Sequence, residues 1–430
     1  MDKITIGLIG FGTIGRGVVK ILKTKSILLS KRIGAKINLQ CVCDKDIRSL
    51  GRMPVERNIF TTDIGRVLDD PGIQIVIELI GGTEDAKEIL LRALRNKKHV
   101  ITANKALLAE HGEELFNIAR RNNVRIYFEA AVGGGIPIIR SIRNSLVANE
   151  IKYIYAIING TANYILTQMS ELNRDFKSAL TDAQKKGFAE KDPTLDIDGI
   201  DSAHKIAILS KLCFGQFVKM KDIYVEGIQF ISLSDILYAE ELGYCIKLLS
   251  IAKREARELD IRVHPTLLPR KHMLASVNGV FNAVHLGGDL VGDMLFYGKG
   301  AGQLPTASAV IGDLNDAVAL LNNPAKSIAE QTDTKIKRIR DIKEINSGYY
   351  LRVMTVDQPG VLAKISNVLG RHNISIHSVI QKGGKPRAKI VPIVMMTHEA
   401  KERNMQKAIT VVNKLEVVKK KAVLIRIEKG

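Results

Sequence analysis

Residues 3 to 9 read KITIGLI, almost wholly apolar and running into glycine. A run of that length bounded by a turn signal predicts a buried strand. Helical spacing of apolar positions follows over 18–29, then strand patterns at 37–43 and 74–80. Ala86, Leu90, Leu91 and Leu94 fall on one helical face. Residues 99–102, 113–121 and 124–128 continue as strand, helix and strand. Strands alternating with helices predict a parallel, doubly wound sheet.

The rhythm changes after Phe128. EAAVGGGIP (129–137) is a glycine-rich loop. Beyond it longer helices mix with strands, two of them expected at 153–158 and 225–229, which predicts an α+β unit. A second glycine-rich loop, YGKGAGQLPTAS (297–308), leads into a helix over 309–321. Residues 322–341 are polar and charged and read as a linker. Then come a strand (349–356), the turn DQPG, a helix marked by Val361, Ile365, Val368 and Leu369, strands at 374–380 and 390–396, a helix at 403–415 and a strand at 417–427. That order is βαββαβ, a ferredoxin-like unit.

A chain of 430 residues suits two or three domains. The net charge of +19 raises the question of nucleic acid. Residues 1–60 carry +8 and residues 348–430 carry +11, so the middle is neutral. No basic patch is interleaved with aromatics, so no nucleic-acid partner is expected. No apolar run is long enough to span a bilayer, and the chain opens without a signal-peptide pattern, so no membrane partner is expected. Cys41, Cys43, Cys213 and Cys245 form neither CxxC nor a disulfide framework, which predicts reduced thiols in the cytoplasm.

The chemistry begins at Gly10-Phe11-Gly12-Thr13-Ile14-Gly15, between a strand and a helix. There the first glycine permits the turn, the second admits a pyrophosphate to the backbone, and the third lets helix and strand pack. Asp44 ends the second strand and is the natural ribose partner, which favours NAD; Lys45 beside it could take a 2′-phosphate, so NADP stays open. Lys105, in Thr-Ala-Asn-Lys after a strand, is expected at the carboxyl edge of the sheet, where ligands bind. The triple glycine within 129–137 reads either as a hinge or as a row of carbonyls able to hold a monovalent cation. GFAEKDPTLDIDGIDSAHK (187–205) sets Glu190, Asp192, Asp196, Asp198 and Asp201 ahead of Lys205. Asp201 and Lys205 are four apart, on one face of a helix that continues through Ile208 and Leu212. They are either a surface ion pair or part of a site, and the apolar continuation of that face favours a site.

GFGTIG, TANK, EAAVGGGIP, NGTANYIL (159–166), the 187–205 segment and GKGAGQLPTASAV together resemble the homoserine dehydrogenase family over nearly the whole chain. The final 80 or so residues resemble an ACT domain, on DQPGVL and His372-Asn373-Ile374. The implied reaction is NAD(P)-dependent interconversion of L-homoserine and L-aspartate 4-semialdehyde. The resemblance implies a Rossmann-type domain at 1–135 completed by 309–330, an α+β substrate-binding and dimerisation domain at 136–308, a linker at 331–347 and an ACT domain at 348–430. It makes Lys205 the proton donor, with Lys105 near nicotinamide and substrate. Glu190, Asp196 and Asp201 bind substrate, and Gly302 returns to the cofactor beside the 10–15 loop. Carbonyls of Glu129, Val132, Gly134 and Ile136 would hold a sodium ion. L-threonine would act near Gly360 and Asn373, in a homodimer or homotetramer. One departure stands out: many members carry Arg before the strand-end Asp, where this chain has Cys43.

Overall fold

The computed structural model describes residues 3–46, 57–323, 336–382 and 390–429. Six parallel strands form the first sheet, in spatial order Phe60–Thr61, Lys36–Cys43, Lys3–Ile9, Ile75–Glu78, His99–Thr102 and Ile126–Tyr127. In chain order that is 3-2-1-4-5-6, the doubly wound arrangement whose switch point lies beside the first strand. Ile6, Leu8, Ile75, Ile77 and Ile101 are fully or almost fully buried, as a sheet covered on both faces requires.

The first helix is split. Thr13–Thr24 and Ser26–Ile33 are separate helices meeting at Lys25, where one was expected over 18–29. The helix after the fifth strand is Lys105–Arg121, eight residues longer at its start than the spacing suggests. The late helix is Gln303–Asn322 and includes residues expected in the loop. It packs across Thr13–Thr24 at Gly17, where a Cβ would lie 2.9–3.1 Å from Gln303 and Ala307. Ala307, Val310, Leu314, Ala317 and Val318 thereby join the core of the first sheet.

The second sheet is mixed. Its main path runs Gly292–Lys299, Phe281–Gly288, Ile151–Ile157, Tyr244–Glu255, Glu258–Pro269, Val418–Ile427, Asn346–Val356, Ile390–Thr397, Ile376–Gln381. The last four of these strands, with helices Val361–Arg371 and Glu402–Val412, make the βαββαβ unit of an ACT domain. One edge of Glu258–Pro269 is capped by three short parallel segments: Arg338–Ile339, Tyr224–Val225, and Arg426 and Ile427 of the last strand. The strand expected at 225–229 is therefore only Tyr224–Val225. Part of the expected linker is tied down, with Arg338 and Arg340 both bonded to Glu258.

Charge is buried where the last strand joins. Glu428 accepts from Tyr155 Oη at 3.2 Å, Lys253 Nζ at 2.8 Å and Arg262 Nη2 at 3.1 Å, and Arg262 also pairs with Asp260. Arg352 grips Asp235 with both arms, at 2.6 and 2.8 Å, and Tyr350 Oη donates to the same carboxylate at 3.1 Å. Removing one partner from such a set strands the other charge in the interior.

Candidate active site

The glycine turn is built for close approach. Gly10 has φ +97°, and a Cβ there would lie 2.6 Å from the Leu79 carbonyl. A Cβ on Gly15 would lie 2.2 Å from the Gly10 oxygen, whereas one on Gly12 meets nothing within 4 Å. Gly12 is the N-cap of Thr13–Thr24 and offers no capping side chain, so the first N–H groups of that helix remain available to an anion. Phe11 is buried against Phe60, Thr13 is exposed and Ile14 half-buried. A cleft of about 990 Å³ opens here, lined by Gly10, Gly12, Asp44, Lys45, Ile80 and Gly81 among others. Its size and backbone donors fit a dinucleotide. Asp44 Oδ2 accepts the Phe11 N–H at 2.5 Å and so also braces the turn. Lys45 pairs with Asp85 at 2.7 Å.

The carboxyl edge of the sheet is organised by a buried acid. Glu78, at the end of its strand, has no exposed surface. Its oxygens accept the Ile80 N–H at 2.7 Å and the Thr102 hydroxyl at 2.6 Å. Thr102 Oγ1 in turn accepts the Asn104 N–H at 3.0 Å, and Asn104 Oδ1 caps the next helix through the Leu107 N–H at 3.1 Å. Lys105 is the first residue of that helix.

Burial pushes the Glu78 carboxyl up to about 7, against the Thr102 and Ile80 hydrogen bonds. A raised carboxyl binds more protons folded than unfolded, so its contribution is intact below about pH 4 and is lost as pH rises through about 7. Glu78→Gln keeps an acceptor for Ile80 and abolishes the titration. Urea unfolding at pH 8 is expected to show the variant more stable than wild type by on the order of 3 kcal/mol, with the gap closing toward pH 4.

Packed against the Lys105–Arg121 helix is the helix Ile200–Phe214, opened by Gly199 at φ +83°. Eleven of its fifteen residues are buried, and within that setting Asp201 and Lys205 face one another. Lys205 Nζ donates to Asp201 Oδ2 at 2.6 Å and to the Ile158 carbonyl at 2.7 Å. Lys105 Nζ reaches Asp201 Oδ1 at 3.3 Å from the first-sheet side. Burial would raise Asp201, but Lys205 and then Lys105 hold its carboxyl down at about 2. Asn159 Nδ2 donates to Asp196 at 2.6 Å and to Asp201 at 2.9 Å, while its Oδ1 caps the helix Gly160–Leu172. Burial chiefly raises Asp196.

Lys105, Asp196, Asp201 and Lys205 are thus brought together. Glu190 is exposed, and among the described residues no hydrogen bond ties its side chain to them. Gly302, at φ +120°, precedes the Gln303–Asn322 helix, whose Gln303 donates to the Thr13 carbonyl at 2.9 Å. The 129–137 loop packs on this same return. The Gly135 N–H donates to the Lys299 carbonyl at 3.0 Å, and a Cβ on Gly134 would lie 2.4 Å from the Gly300 oxygen. Gly360 caps the first ACT helix, and Asn373 lies just past its end at φ +58°. Among the described residues no group of three His, Cys, Asp or Glu could hold a metal ion. No described helix is long and apolar enough to cross a membrane.

Asn159, Glu78 and Thr102 escaped the sequence reading as site residues. The available signal was an Asn-Gly-Thr between strand and helix, an N-cap pattern at a sheet edge.

Residues 10–129 match the family model for the homoserine dehydrogenase NAD-binding domain, residues 137–314 that for homoserine dehydrogenase, and residues 349–417 the ACT domain. A homoserine dehydrogenase of Neisseria gonorrhoeae is 43% identical, covering 100% of this chain and 99% of its own. The crystal structure of a homoserine dehydrogenase from Thiobacillus denitrificans superposes with a TM-score of 0.93 at 41% identity, covering 100% and 99%. A hyperthermophilic archaeal homoserine dehydrogenase in complex with NADPH gives 0.63 at 27%, over 74% of this chain and 98% of that one. With the family's two models matched in order and relatives aligned from end to end, the chain belongs to the homoserine dehydrogenase family.

Proposed function

We propose that Lys205 and Lys105 carry the NAD(P)-dependent interconversion of L-homoserine and L-aspartate 4-semialdehyde in this chain. The observation that carries this reading is the convergence of two ammonium groups on one buried carboxylate, where the helix Ile200–Phe214 packs on the helix that Lys105 opens. The turn at residues 10–15 and Asp44 would hold a nicotinamide dinucleotide, which in its reduced form would supply a hydride to the aldehyde carbon. Negative charge then builds on the aldehyde oxygen, and Lys205 Nζ both stabilises it and gives it a proton. Lys105 adds a second positive charge, which favours release of that proton. Asp201, kept ionised, holds both lysines in place and shares the substrate's polar ends with Asp196 and Glu190.

NADH is the favoured cofactor, because Asp44 at the ribose end would repel a 2′-phosphate. The NADPH bound by the archaeal relative makes this worth testing directly. Purified protein is expected to reduce NAD⁺ and NADP⁺ with L-homoserine, with kcat/KM higher for the NADH couple. Absence of homoserine-dependent turnover with either cofactor overturns the reading.

The residue ranges 1–135 with 309–330, 136–308 and 348–430 serve as cofactor, substrate and regulatory domains in this proposal. A sodium ion at the 129–136 carbonyls finds support in Val132 and Gly134, whose carbonyls accept no hydrogen bond among the described residues; that of Ile136 takes the Ile138 N–H. L-threonine is the proposed ACT ligand, near Gly360 and Asn373. A homodimer is supported by the exposed Leu290, Val291, Leu295 and Tyr297 on the outer hairpin of the second sheet. Four free cysteines suit a reducing, cytoplasmic setting.

A further inference from the structure

The middle of the three segments capping Glu258–Pro269 lies between the ACT domain and the turn that opens the Ile200–Phe214 helix. On the ACT side, Glu226 Oε2 accepts from Arg426 Nη1 at 2.7 Å and from Tyr224 Oη at 3.0 Å. Arg426 is 3% exposed. Its Nε and Nη2 also hold Glu402, at 2.9 and 2.5 Å, and its guanidinium lies 4.8 Å over the Tyr224 ring.

On the other side the same segment grips the turn. The Glu226 N–H donates to the Val263 carbonyl at 2.8 Å, and the Ile228 N–H donates to that of Ile197 at 2.8 Å. The Gln229 amide donates to Asp198. A Cβ on Gly227 would lie 2.4 Å from the Ile197 oxygen and 2.7 Å from Asp198 Cα. A Cβ on Gly199 would lie 3.2 Å from Val225 and 3.6 Å from the Glu226 oxygen. Backbone meets backbone here with no slack, so a displacement on one side is passed to the other. Asp196 and Asp201 flank the gripped turn.

We propose that Arg426 and Glu226 are positioning residues for the reaction: through residues 226–229 the ACT domain sets the 196–201 turn and the spacing of Asp196 and Asp201. This rests on the placement of substrate at those two acids. An ACT ligand that favoured one position of the last strand would act on the same turn.

Glu226→Gln in the full-length chain keeps the shape and leaves Arg426 paired with Glu402. It is expected to raise KM for L-homoserine about tenfold, as the bond from Arg426 loses its charge assistance, with KM for the cofactor unchanged. Arg426→Lys, which keeps the charge but cannot hold two carboxylates at once, is expected to move KM in the same direction. The proposal is overturned if both variants fold and keep wild-type KM for homoserine. Equal rises in the substrate and cofactor KM values overturn it too, because they report general loosening. Asp201→Asn separates the two readings. If it is also unaffected, the substrate placement falls; if it is crippled while the other two are normal, only the positioning role falls.

Discussion

Lys205→Ala is expected to lower kcat by about three orders of magnitude while leaving the dissociation constant of the cofactor within about twofold. Among the described residues the lysine donates to Asp201 and the Ile158 carbonyl, neither of them in the glycine turn. Alanine is a strong helix former, and the helix is anchored by buried neighbours such as Ile206, Ile208 and Leu209, so the fold should persist. What is lost is the proton and the positive charge at the developing alkoxide. Lys205→Arg should rescue poorly, because a guanidinium keeps its proton at any working pH. Stopped-flow turnover together with an NADH fluorescence titration checks both halves. Residual kcat above a tenth of wild type would refute the assignment.

Gly15→Ala is expected to raise KM for the cofactor about a hundredfold and to lower Tm by about 5 °C or more. The added carbon would sit 2.2 Å from the Gly10 oxygen, which is backbone and has no rotamer to retreat into. The helix must swing off the strand, taking with it the N–H groups that face the cleft. Gly12→Ala is the control: its Cβ enters open space, so Tm should hold while cofactor affinity falls. Equal thermal loss in the two variants would mean that crowding at Gly15 is not the cause.

The glycine turn is legible in the sequence because an apolar run, GxGxxG and a helix admit few backbone solutions. The Lys105 helix is less so. Gly112 looks like a stop, yet it sits inside the helix beside Phe116 and Phe217, where a Cβ would still fit at 3.5 Å. Pro305 likewise looks like loop, but it stands in the first turn of Gln303–Asn322, where a missing N–H costs nothing. Tyr244–Glu255 and Glu258–Pro269 are hidden by Lys247, Lys253, Asp260, Arg262 and His264. These charged and polar side chains are buried along the sheet, Lys253 partly so, and Lys253, Asp260 and Arg262 are satisfied by partners such as Glu428 that local pattern cannot reveal. The meeting of Lys105 with Asp201 is wholly tertiary. Without the family resemblance, nothing in either segment predicts it.

The capping of Glu258–Pro269 also has a meaning for biosynthesis. Its covers leave the ribosome at very different times, around residues 224, 338 and 426. Until the last arrives, the far end of that strand presents unpaired backbone groups, the kind of edge on which nascent chains stick to one another. A message truncated shortly before residue 418 would therefore yield chains prone to aggregate, rather than an unregulated enzyme.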